Sequence, residues 1–253
     1  MDKALTIQQK MRSEMLDKSI FDQASEYAHK YLDQATDRNV YPTEEALIGL
    51  KQFDEDMPQE STEASDILHH LNQYGAPNTV SQIGGRYFGF VNGGVVPAGL
   101  AAKNLSIFWD QNTAMQVISP ISSKLESVVE KWLRQLFDLP SQTCAGYVSG
   151  TSSATFCGLA AARYRLLKGM DWDINAKGLF NAPGLRIVTS THAHSTVIKA
   201  ISLLGFGTDN IEWVECDDQG RIKPELMPAL DSSTIVILQA GNVNNGSFDD
   251  FET

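Results

Sequence analysis

Hydrophobic positions change their rhythm along this chain, and the change divides it in two. Over residues 1–36, Ile7, Met11, Met15, Phe21, Ala24, Ala28 and Leu32 recur at three- to four-residue spacing with charges between them, which predicts amphipathic helix. Such a face packs either on its own domain or on a second subunit. Tyr41–Pro42–Thr43–Glu44–Glu45 places proline, threonine and acids where a helix starts. Residues 55–65 are acidic and read as a solvated loop, followed by helix over 64–72. Further helices are predicted over 100–108 and 121–137, the latter with Leu125, Val128, Val129, Trp132, Leu133 and Leu136 on one face.

From Gly146 onward the pattern becomes alternating β and α. Tyr147–Val148 reads as a short strand, and a helix opens near Ser152, with Phe156, Leu159, Ala160, Leu166 and Leu167 on its buried side. Strands are then predicted at 186–190 (RIVTS), 211–215 and 234–238 (TIVIL). Helices are predicted at 195–204, closed by Gly205, and at 224–230. Val/Ile-rich strands separated by helices imply a mostly parallel sheet covered on both faces. In such sheets ligands sit beyond the C-terminal ends of the strands. Three polar turns fall there, at 149–153, 191–195 and 239–246, and should converge.

Composition narrows the function classes. The chain has 253 residues, 42% hydrophobic and 20% charged, ample for a core. Twenty Lys and Arg against 31 Asp and Glu give a net charge of −11 and a pI near 4.8, which argues against nucleic acid or an anionic membrane as partner. Cys144, Cys157 and Cys216 form no CxxC pair, in keeping with a reducing compartment. The N-terminus lacks the apolar core of a signal peptide, and no apolar run approaches a membrane span, so the expected location is cytoplasmic.

Two stretches are candidates for chemistry. In the turn at 149–153, small residues and hydroxyls precede a helix, where backbone N–H groups and the positive dipole end favour an anion. The same residues equally suit an ordinary turn with a Ser/Thr cap. In GGRYFGFVNGGVVPAG, at 84–99, the glycines miss the GxGxxG spacing. Tyr87, Phe88, Phe90 and Asn92 either line a pocket or anchor a tight loop. His192 and His194 want a third ligand to hold a metal. A triad of Ser149 or Ser152 with His194 and Asp249 is conceivable, but GYVSGTS does not match the G-x-S-x-G elbow.

The order of the motifs carries more than any one of them. RYFGFVNGG at 86–94, SPISSKLE at 119–126, SGTSSATFCGLAAAR at 149–163, THAHSTVIKA at 191–200, VECDDQGRI at 214–222 and LQAGNVNNGSFDDF at 238–251 follow one another at a specific spacing. In this the chain resembles the group II pyridoxal-phosphate-dependent amino acid decarboxylases of the aspartate-aminotransferase (fold type I) superfamily.

The resemblance implies an α/β fold. A helical segment over 1–80, with dimer contacts, would precede part of the pyridoxal-phosphate-binding large domain over 81–253. It implies that Thr151 and Ser152 hold the phosphate of pyridoxal 5'-phosphate, and that His194 stacks on the pyridine ring and orders the substrate. Asn242 and Asn244 would lie near the cofactor, and Tyr87, Phe88 and Asn92 would line the pocket for a small amino acid substrate. The cofactor would act as electron sink as the α-carboxylate leaves. The usual assembly would be a homodimer. In this family the Schiff-base lysine, and the aspartate that pairs with the pyridine nitrogen, follow the last of these motifs. The sequence given ends before either, and Lys199 is not a match for that lysine, so the expectation is a truncated chain, inactive alone. Another fold type I activity (aminotransferase or lyase), or a non-catalytic truncated binding or interaction protein, are the alternative readings.

Overall fold

The computed structural model describes residues 6–252. They form two compact units, Met1–Asp110 and Gln111–Thr253, each described here by itself.

The first unit is helical. Helix α1 (Ile7–Asp17) opens with a capping box, in which Gln9 N–H donates to Thr6 Oγ1 and Thr6 N–H to Gln9 Oε1. Lys18, at φ 64°, separates it from α2 (Ser19–Gln34), so the predicted 1–36 helix is two helices; residues 1–5 of that expectation lie outside the described residues. Helix α3 (Glu44–Gly49) starts at the expected Thr43 cap, and α4 (Ala64–His70) runs on through a wide turn to Gly75. Helix α5 (Pro97–Trp109) begins three residues before the predicted start, because proline fits the first turn of a helix. Phe108 meets Phe21 of α2 edge-on at 5.1 Å. Arg38 donates to the carbonyls of Ala76, Pro77 and Thr79 and lies over the Tyr31 ring, which fastens the 76–79 turn to the end of α2.

The second unit holds α6 (Pro120–Leu136), the 19-residue α7 (Thr151–Gly169), the short α8 (Ile174–Lys177), and a β/α segment. That segment runs β1 (Arg186–Ser190), α9 (Ser195–Leu203), β2 (Ile211–Val214) and β3 (Thr234–Ile237). The three strands are parallel in the order β2–β1–β3. Register places Ile187 between Ile211 and Ile235, a row of isoleucines on one face. Leu159 of α7 and Ala200 and Ile201 of α9 close over that row, with Leu204 beside them. Burying each large aliphatic side chain in this layer contributes roughly 1.5–3 kcal/mol.

Pleating puts Val188 on the opposite face, against Val214, Ile222 and the half-buried Met227 and Val236. Among the described residues that face is covered by the segment after β2 rather than by a helix. The predicted helix at 224–230 is a single 3-10 turn, Pro224–Leu226. Tyr147–Val148 is not a strand. The pair is exposed, and Tyr147 Oη instead donates to the Glu126 carbonyl. Two apolar residues make a strand only where a neighbouring edge pairs with them, and no described strand does so.

Candidate functional site

The first candidate lies at the start of α7. Its N-cap is Gly150, in extended backbone at φ 173°, so the expected hydroxyl cap from Thr151, Ser152 or Ser153 does not form. The first bond into the helix runs from Ala154 N–H to Gly150 O. That leaves the N–H groups of Thr151, Ser152 and Ser153 without a partner among the described residues, and the hydroxyls of Thr151 and Ser152 likewise. The space where a side chain on Gly146 or Gly150 would lie is open. Backbone donors, hydroxyl donors and a positive helix end, with no carboxylate in the set, form an arrangement that suits a phosphate. The residues present therefore fit the phosphate of pyridoxal phosphate.

The second candidate lies beyond the C-terminal ends of the strands. His192 follows β1, with its N–H donating to Ser190 Oγ at 2.8 Å. Gly220 lies in the turn after β2, buried and at φ 77°, a conformation that suits glycine. A Cβ there would fall 2.9 Å from Asn242 Nδ2 and 3.3 Å from His192 Nδ1. The turns after all three strands thus meet at Gly220. Two of the three predicted polar turns, at 191–195 and 239–246, come together in this way. The third, at 149–153, heads α7, the helix that packs along α9.

His194 is exposed and caps α9, with Nδ1 accepting from Thr196 N–H at 3.2 Å and 2.7 Å from Thr196 Oγ1. Accepting at Nδ1 leaves Nε2 to carry the proton of the neutral ring. Asn242 Oδ1 accepts from Asn244 N–H at 2.9 Å, and the Asn244 side chain is exposed. The conceivable triad does not assemble. Both Asp249 oxygens are taken by backbone N–H groups, of Ile222 and Gln239, and His194 Nδ1 faces Thr196. Among the described residues no three His, Cys, Asp or Glu side chains group as a metal would require.

In the first unit, Asn92 Nδ2 donates to Tyr87 Oη at 2.9 Å, Tyr87 is half-buried, and Phe88 is 92% exposed. Sequence reasoning missed His192 and Gly220 as neighbours of Asn242. A glycine one residue before Arg221, in a DDQGR turn, was the available signal.

The chain resembles solved structures in fold. The glutamate decarboxylase domain of diaminobutyrate-pyruvate transaminase and L-2,4-diaminobutyrate decarboxylase from Vibrio parahaemolyticus matches at 17% identity and a TM-score of 0.80, over 94% of this chain and 54% of its own. Mouse CSAD in its apo form matches at 20% identity and 0.77, over 93% and 51%. Oryza sativa TDC, solved with PLP and tryptamine, matches at 19% identity and 0.66, over 85% and 43%. The chain therefore spans about half the length of these proteins. The profile described as "Pyridoxal-dependent decarboxylase conserved domain" matches residues 48–253, well over half of the chain. The parallel sheet, the phosphate-compatible helix start and this match together place the chain in the pyridoxal-dependent decarboxylase family.

Proposed function

We propose that this chain contributes the phosphate-holding turn and the strand-end loops of a pyridoxal-phosphate-dependent amino acid carboxy-lyase. The observation that carries the reading is the start of α7, where three backbone N–H groups and the Thr151 and Ser152 hydroxyls have no partner among the described residues. When bound, pyridoxal phosphate supplies an electron sink for the pair released as a carboxylate leaves.

The chain's own residues bind and orient. Thr151 and Ser152 hold the phosphate by donating to its oxygens. His194, fixed by its bond to Thr196, presents Nε2–H outward and orders the ring and the substrate. Asn242 and Asn244 contribute amide groups near the cofactor. Tyr87, Phe88 and Asn92 line the substrate pocket. The acting assembly is a cytoplasmic homodimer taking a small amino acid. Support for a soluble setting is that no described helix is long and apolar enough to cross a membrane.

The test is Thr151→Ala with Ser152→Ala in the full-length protein, read by titration with pyridoxal phosphate and by thermal unfolding. Losing two hydroxyl bonds to a charged phosphate, at about 1.5–3 kcal/mol each, predicts a Kd at least about a hundredfold higher with little change in apo Tm. Unchanged cofactor affinity would place the phosphate elsewhere.

A further inference from the structure

Asp249 is a buried carboxylate, 4% exposed, that the proposed chemistry does not use. Its oxygens are divided between two loops. Oδ1 accepts from Ile222 N–H at 2.8 Å, where the segment after β2 turns back, and Oδ2 accepts from Gln239 N–H at 2.6 Å, just past β3. Its own N–H donates to Gln239 O at 3.0 Å, and Phe248 pairs with Ala240 beside it. One side chain thereby closes the 240–248 loop at its base and ties that base to the loop after β2.

The tips of the two loops are joined as well. Asn245 Nδ2 and Ser247 Oγ both donate to Gln219 O, at 2.8 and 2.6 Å. Asn242 N–H donates to Ser247 O, and Gly246 N–H to Asn242 O, both at 2.8 Å. The result is a double-tied unit in which the Asn242 amide lies against Gly220, with the His192 ring beside the same point. Gly220 supplies the close approach: with no side chain there, the Asn242 amide and the His192 ring reach the same point.

We propose that Asp249 is a positioning residue that, through this clamp and the clearance at Gly220, sets where Asn242 and His192 stand at the strand ends. The inference rests on the proposed function for what Asn242 faces, and on this structure alone for the clamp and for the place of His192. Replacing Asp249 by Asn keeps one acceptor and turns an NH2 group toward a backbone N–H, so one arm is lost while the other remains. Gly220→Ala leaves both arms intact and pushes on Asn242 and His192 directly, at a φ that disfavours alanine.

The test uses the full-length enzyme loaded with pyridoxal phosphate, wild type beside Asp249→Asn and Gly220→Ala. Amide hydrogen exchange of the cofactor-free protein is expected to speed up at Gln239 or Ile222 in Asp249→Asn, and not in Gly220→Ala. In both variants the visible circular dichroism of the bound cofactor is expected to change, and kcat to fall at least tenfold with KM altered less than threefold. If Asp249→Asn does not fold, Asp249→Glu, which keeps both acceptor oxygens but shifts them by one methylene, is read by the same measurements. A folded variant with lowered Tm but unchanged cofactor dichroism and kcat overturns the inference and leaves Asp249 a structural residue. Failure of the proposed function looks different: the wild-type protein then binds no pyridoxal phosphate, or Thr151→Ala with Ser152→Ala leaves its affinity untouched.

Discussion

At the start of β1, Arg186 reaches two carboxylates. Its Nε and one terminal nitrogen donate to the two oxygens of Glu212 on β2, both at 2.7 Å, and its other terminal nitrogen is 3.5 Å from Asp231. The bidentate fork is the strong form of this pair and ties β1 to β2 at the edge of the sheet. It also holds the Glu212 carboxyl below its ordinary range. Asp231 is also held low, from an ordinary 3.8 to about 2. The main causes are the Ser233 hydroxyl and N–H, at 2.6 and 2.8 Å, with the Thr234 hydroxyl at 2.9 Å next and Arg186 behind them. A carboxyl whose pKa is depressed by folding adds stability that is fully present above its unfolded value and is lost as pH falls through the folded one. The Asp231 contribution should therefore disappear between about pH 4 and pH 2. Asp231→Asn is expected to lower Tm at neutral pH and to flatten the acid limb of the Tm–pH curve across that window. Parallel curves for wild type and variant would show that Asp231 is not differentially bound in the folded state.

At the scale of elements, the decisive layer is α7 and α9 over the isoleucine row of the sheet. Ile201 is fully buried there, among Leu159, Ile187, Ile211 and Ile235. Ile201→Ala removes its contacts on both helices and the sheet at once, and is expected to cost about 2–5 kcal/mol in denaturant unfolding. At the end of α9, Gly205→Ala puts a side chain at φ 79°, 2.8 Å from Leu179 Cδ1, and is expected to cost about 1–3 kcal/mol. A loss below half a kcal/mol in either would mean that the layer relaxes around the change. This layer was legible in the sequence because its causes are local. A 3.6-residue period, a run of Val and Ile, and a glycine after the last turn each declare themselves within a dozen residues. What escaped reading depends on distant partners. Tyr147–Val148 looks like a strand but has no edge to join, and 224–230 looks like a helix, yet its apolar Met227 is drawn onto the sheet face opposite α9. The site divides in the same way. A helix start rich in hydroxyls at Thr151 and Ser152 could be read from the residues around it, although the real cap is Gly150 and the hydroxyls have no partner among the described residues. The clamp of Asp249 joins residues 222, 239 and 249, and only the fold brings those together.

For the whole molecule, the first helix poses the sharpest question. Ile7, Met11 and Met15 recur every four residues on α1 and are 79%, 60% and 64% exposed. A regular apolar stripe that stays in water is costly to keep and points to a covering surface. In the proposed homodimer this stripe is a contact between subunits, and each of the three side chains then adds about 1–2 kcal/mol on burial. Replacing all three by Lys in the full-length protein leaves the fold of the subunit alone, since they pack little within it, so the circular dichroism should be unchanged. Losing even half of the expected burial weakens association by roughly a hundredfold. Light scattering during size-exclusion chromatography across a dilution series is then expected to show a dimer for the wild type and a monomer for the variant at micromolar concentration. A variant that keeps the dimer mass throughout the series would assign the stripe to something other than the subunit contact.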